Sequence, residues 1–133
     1  MKYLSLLLIV ALSATTVACQ TASSSEQQIS KDLPPSQFAE MSASNPGIIL
    51  DVRTPSEVRD GHIAGMTAID ITAPDFMDRI ARLDRQKPVY VYCAVGGRSA
   101  NAAQKLKDLG FKEVYNLDGG IRAWIQNKLP LEK

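Results

Sequence analysis

Cysteine, histidine and net charge are all scarce in this chain, and each scarcity removes a class of function. Two cysteines, Cys19 and Cys93, and one histidine, His62, occur among 133 residues. His62 has no Cys, Asp or Glu neighbours at metal-ligand spacing, so no metal site is expected, and nothing calls for a cofactor. The formal net charge is only +1, and no basic cluster falls on a predicted helix, which argues against nucleic acid as a partner. An uninterrupted membrane span is missing too, because the apolar stretch from Leu4 to Leu12 is too short to cross comfortably. With 45% hydrophobic residues, a chain of 133 can bury one core and no more, so one small domain is expected.

What is present at the amino end reads as an address. Lys2, the apolar run and the small residues from Ala14 to Cys19 have the layout of a secretory signal covering residues 1–18. Thr16-Val17-Ala18-Cys19 resembles a bacterial lipobox, although Thr16 stands where Leu is commonest. That resemblance implies lipidation of Cys19 and a membrane tether facing the periplasm, since multiple acyl chains give stable anchoring. Gln20, rather than Asp, next to that cysteine resembles lipoproteins sent on to the outer membrane. The alternative is cleavage after Ala18, leaving Cys19 as a free thiol on a soluble periplasmic protein. Residues 19–31, rich in Ser and Gln, read as a flexible tether, and residues 32–133 as the folded domain.

Within the domain, strand-like runs at Ile48 to Val52, Ala68 to Ile71, Val89 to Tyr92 and Val114 to Leu117 alternate with helical runs. This pattern predicts an α/β domain with a mostly parallel sheet flanked by helices. Cys93 falls at the carboxyl end of the third run, where the active sites of such sheets lie. Beyond it, Arg98 to Leu109 has helical spacing and Gly110 as a stop. Strand, glycine-containing turn and helix gather unpaired N–H groups into one concavity, where the helix dipole favours negative charge. A thiol held there is expected to be a nucleophile at neutral pH. Gly96 and Gly97 are expected to let the turn curl where a side chain would clash or fill the cup. If Cys19 is acylated, Cys93 is the only thiol left in the exported domain, and a lone thiol in an oxidising compartment needs a reason to be there.

Three segments, in order, resemble the rhodanese (sulfurtransferase) family. Ile48-Ile49-Leu50-Asp51-Val52-Arg53 with Gly61-His62-Ile63-Ala64-Gly65-Met66 is similar to the family's first strand and its Gly-His-Ile-Pro-Gly-Ala segment, with Ala64 and Met66 as departures. Cys93 to Ser99 resembles its active-site loop, and Val114 to Trp124 its last strand, Gly-Gly turn and final helix. The resemblance implies the rhodanese-like fold and a transferase that moves a sulfane sulfur from thiosulfate or a related donor to cyanide or a thiol. The carrier would be a persulfide on Cys93, stabilised by the N–H groups of Ala94, Val95, Gly96, Gly97 and Arg98. Ala94 and Val95 stand where many thiosulfate-using members carry a basic residue, which leaves the donor open. The alternatives are a persulfide carrier or relay module docking on a thiol protein, and a Cys-based phosphatase or arsenate reductase. The last is disfavoured because only four residues separate Cys93 from Arg98, one fewer than phosphatase loops hold.

Other positions are expected to serve mainly as scaffold. Arg98 would brace the loop or meet an anionic donor, Ser99 would cap the helix, and Asp51 with Arg53 would form a buried pair. Arg53 is also a candidate substrate contact. Thr54-Pro55-Ser56-Glu57 reads as a capping box. His62 is expected to be structural, since a thiolate activated by backbone dipoles needs no base. Trp124, Ile121 and Ile125 form an apolar stripe expected in the core. Oligomeric state has no signal in the sequence.

Overall fold

A computed structural model describes residues 27–133; the segment expected to be a signal, residues 1–18, and Cys19 lie outside the described residues. Its elements alternate throughout: β1 (Ile29–Leu33), α1 (Pro35–Ser44), β2 (Ile48–Asp51), α2 (Pro55–Arg59), β3 (Thr67–Ala68), α3 (Phe76–Ala81), β4 (Val89–Tyr92), α4 (Gly97–Asp108), β5 (Glu113–Leu117) and α5 (Gly120–Gln126). The strands form one sheet in the order β1-β5-β4-β2-β3, and every pairing is parallel. Parallel strands need crossovers, and the intervening helices supply them while covering both faces.

Strand alternation divides the core. On β4, Val89 and Val91 face a cluster with Leu50, Phe76, Ile80, Ala102, Leu106 and Phe111, from α3, α4 and neighbouring segments. Tyr90 and Tyr92 face the opposite cluster, with Phe38 of α1 and Ile121 and Trp124 of α5. Tyr90 stacks on Tyr115 with ring centroids 5.2 Å apart, and Phe38 meets Tyr90 edge-on at 5.6 Å. Burial on both faces explains why β4 is apolar or aromatic at every position.

Three expectations about the elements change. The domain begins earlier than residue 32, because Ile29 to Lys31, placed in the tether, form most of β1 and pair in register with Glu113 to Tyr115. β1 is an edge strand exposed everywhere but Leu33, so polar Ser30, Lys31 and Asp32 carry no alternation to read. The strand expected from Ala68 to Ile71 is only Thr67–Ala68. Ile69 and Ile71 still donate N–H bonds to Asp51 and Val52 carbonyls, but outside a regular ladder. Finally, Ile125 lies outside the core at 53% exposure, while its neighbour Trp124 is buried and donates to the Pro130 carbonyl at 2.9 Å.

Candidate functional site

Cys93 follows β4 directly, is fully buried, and is the free thiol among the described residues. The chain then turns through Gly96, whose φ of 105° lies in the left-handed region that a side chain would oppose, and enters α4 at Gly97. Gly97 does not have a positive φ, and a Cβ there would meet nothing within 4 Å, so the curl rests on Gly96. This turn folds the helix start back over the sulfur. The Gly96 N–H donates to Cys93 Sγ at 3.1 Å, and Ser99 Oγ stands 3.3 Å from it.

Ser99 is therefore not the cap expected of it. Gly96 occupies the cap position, and Ser99 lies in the first turn of α4 with its hydroxyl between Cys93 Sγ and the Gly96 carbonyl, 3.1 Å away. One hydroxyl proton serves one acceptor at a time, and a thiolate is the stronger acceptor. Burial pushes the Cys93 thiol up, but the Ser99 hydroxyl and the N–H groups of Ser99, Gly96 and Val95 outweigh it, so its pKa lies below that of an ordinary thiol. Ser99→Ala removes one bond to the charged form, worth about 1.5–3 kcal/mol, and is expected to raise the thiol pKa by about one to two units. A pH profile of alkylation by iodoacetamide measures this directly; a midpoint unchanged in the variant contradicts it.

Arg98 braces the loop through a partner far away in sequence. Its Nη1 and Nη2 fork onto Glu57 Oε2 and Oε1 at 2.9 and 2.6 Å. Glu57 is also the third residue of α2 and closes the expected capping box with Thr54. The Arg98 bonds outweigh desolvation and, with those from Thr54, hold the Glu57 carboxyl down at about 2, while Glu57 raises Arg98. A depressed carboxyl stabilises the fold fully above its ordinary titration range and loses that contribution as pH falls toward about 2. Both groups are about one-third exposed, so solvent weakens the pair.

Asp51 and Arg53 form the expected buried pair, with Nη2 to Oδ2 at 2.6 Å and both side chains at most 5% exposed. Arg53 also donates to the Glu57 and Gly61 carbonyls, and its guanidinium lies 5.4 Å from the Tyr92 ring centroid. These bonds tie the end of β2 to α2 and to the 61–63 segment. Tyr92, which the sequence did not single out, accepts the Ile63 N–H at 3.1 Å on the same segment. His62 sits there as well, paired through its backbone with Glu132, and its Nδ1 is 3.3 Å from the Val58 carbonyl.

A second helix supports the loop from below. Ile121 and Arg122, in the first turn of α5, donate their N–H groups to the Cys93 and Ala94 carbonyls at 2.9 and 3.1 Å. No side-chain identity carries these bonds, so the Gly119-Gly120 turn gave the only sequence signal. Ala94 and Val95 bring no charge to the loop: Ala94 is half-buried and Val95 is 54% exposed.

Comparison with known proteins bears on the family and the fold. The Rhodanese-like domain family matches residues 34–127. Over 95 residues the chain is 40% identical to the thiosulfate sulfurtransferase GlpE of Stutzerimonas stutzeri, covering 71% of this chain and 84% of that protein. The Shewanella oneidensis GlpE thiosulfate sulfurtransferase is 36% identical over 94 residues, 71% of this chain and 91% of its own length. Among solved structures, a rhodanese-related protein of Thermoplasma volcanium superposes with a TM-score of 0.68 at 32% identity, covering 77% of this chain and 97% of the other.

Proposed function

This chain belongs to the rhodanese-like domain family, and from that membership we propose that it carries sulfur between small molecules as a persulfide on Cys93. The observation that bears most weight is the buried Cys93 Sγ facing the Gly96 N–H and the Ser99 hydroxyl at the amino end of α4. That geometry suits a reaction whose intermediate is an anion on sulfur.

The first half-reaction is attack of the Cys93 thiolate on the outer sulfur of thiosulfate. The Cys93 S–S bond forms, the sulfur–sulfur bond of thiosulfate breaks, and its electron pair leaves with sulfite. The new terminal sulfur carries the negative charge. Gly96 and the first-turn N–H groups of α4, which have no carbonyl partner within the helix, would meet that charge as an oxyanion hole meets oxygen. Leaving it buried without donors would cost several kcal/mol or more. In the second half-reaction cyanide, or a thiolate, attacks the terminal sulfur and the electron pair returns to Cys93. No step requires a general base.

Steady-state kinetics with thiosulfate and cyanide test the two-step reading. Double-reciprocal plots of thiocyanate formation are expected to be parallel, the sign of a covalent intermediate released before the acceptor binds. Lines that intersect would remove the free persulfide enzyme. A second reading, delivery of the sulfur to a thiol on a partner protein, is supported by the rim. Exposed Val95 and uncharged Ala94 suit an apolar contact better than a small dianion.

The proposed setting is the cell envelope, with Cys19 as a lipid anchor, supported by Thr16-Val17-Ala18-Cys19. Metabolic labelling with a fatty acid is expected in the wild type and absent in Cys19→Ala. Label that persists in the variant removes the anchor.

A further inference from the structure

We infer that Gly120 is a positioning residue for the cysteine loop: only a residue without a Cβ lets the amino end of α5 seat against the 94–95 peptide group and fix its direction. A Cβ built on Gly120 would lie 2.5 Å from the Ala94 carbonyl carbon, 2.6 Å from its oxygen and 2.6 Å from the Val95 nitrogen. These three atoms are one peptide group, with no flexible side chain that could swing away. Gly120 also has φ of 60°, in the left-handed region, so a side chain there is opposed twice.

The close approach has a chemical consequence. With Gly120 seated, Ile121 and Arg122 donate to the Cys93 and Ala94 carbonyls. In a trans peptide the C=O and N–H point in opposite directions, so pinning those two oxygens toward α5 turns the Ala94 and Val95 N–H groups away from it. The Val95 N–H is among the groups that favour the Cys93 thiolate. The anion cradle is thus set by two helices: α4 presents its own first-turn N–H groups, and α5 orients the peptides that precede them. Gly120 has no side chain to bring to the site, and acts through the backbone alone. Its link to sulfur transfer rests on the proposed Cys93 persulfide, whereas its effect on the thiol does not.

Thiolate absorbance of Cys93, followed against pH, tests this independently of sulfur transfer. Gly120→Ala is expected to raise the midpoint by about one unit, leaving about a tenth of the thiolate at pH values below both midpoints. Alkylation there should slow about tenfold. Gly110→Ala is the control for backbone strain alone, because Gly110 also has a positive φ, 87°, but a Cβ there meets nothing within 4 Å. It should leave the midpoint unchanged. Arg122→Pro is a second variant in case Gly120→Ala does not fold. It deletes the N–H that holds the Ala94 carbonyl, at an exposed side chain in the first helical turn, where proline is tolerated. It should raise the midpoint too. A folded Gly120→Ala with the wild-type midpoint overturns the inference, as does an equal rise in Gly110→Ala. If Gly120→Ala is unfolded, a wild-type midpoint in folded Arg122→Pro overturns it.

Discussion

Cys93→Ser is expected to abolish sulfur transfer while leaving the fold in place. The loss should be on the order of 10⁶-fold, the scale seen when a covalent nucleophile is removed. Serine keeps the shape of the side chain, and the Gly96 N–H and Ser99 hydroxyl that meet Sγ would still have an oxygen to meet. Burial therefore costs the variant little, and its thermal midpoint should stay within a few degrees of the wild type. What serine lacks is chemistry. The cradle lowers the pKa of the Cys93 thiol, whereas a serine hydroxyl stays protonated, and an attack by oxygen gives no persulfide to discharge. Thiocyanate production and thermal unfolding measured on the same preparation separate the two effects. Substantial transfer by a folded Cys93→Ser protein would place the reaction elsewhere.

Asp51→Ala is expected to have the largest effect on stability. Asp51 is fully buried and receives the Arg53 backbone N–H, Nε and Nη2. Removing it strands a guanidinium that is itself 95% buried, a situation that costs about 3–5 kcal/mol. At about 4–8 °C per kcal/mol for a domain of this size, the thermal midpoint should fall by at least about 12 °C. The consequences reach the site because Arg53 also holds the Glu57 and Gly61 carbonyls, and Glu57 in turn holds Arg98. Asp51→Leu combined with Arg53→Met removes both charges and should recover much of the loss, since an apolar pair of similar volume can replace a buried ion pair. A shift of only one or two degrees in Asp51→Ala would mean that the pair is dispensable to the fold.

Those two residues illustrate what was legible in the sequence. Asp51, Val52 and Arg53 end an apolar run, so their position at the carboxyl edge of the sheet follows from pattern alone. Val89 to Tyr92 and the Thr54–Glu57 capping box are legible for the same reason: each is a local signal confined to a few residues. The fold was legible because several such signals occur in a fixed order. Bonds between distant segments were not. Arg98 and Glu57 are 41 positions apart, and nothing in either neighbourhood specifies the other. The clamp from α5 is written entirely in backbone N–H groups, which every residue except proline carries. Ser99 was misread because serine near a helix start is usually a cap, and here a left-handed glycine had already taken that position. β1 was missed because an edge strand with polar residues on both faces has the composition of a linker.

The same physics explains why the cradle is built from backbone. Ala94 and Val95 bring no charge, so stabilisation of a sulfur anion falls to N–H groups and one hydroxyl, whose directions are fixed by helices rather than by flexible side chains. Beside that backbone cradle Val95 is exposed.

Intact mass spectrometry of the protein after exposure to thiosulfate tests the central claim most directly. The wild type is expected to gain one sulfur atom and to lose it on brief treatment with cyanide, with no gain in Cys93→Ser. A wild type that gains no sulfur from thiosulfate, or a Cys93→Ser protein that gains the same sulfur, would contradict the account.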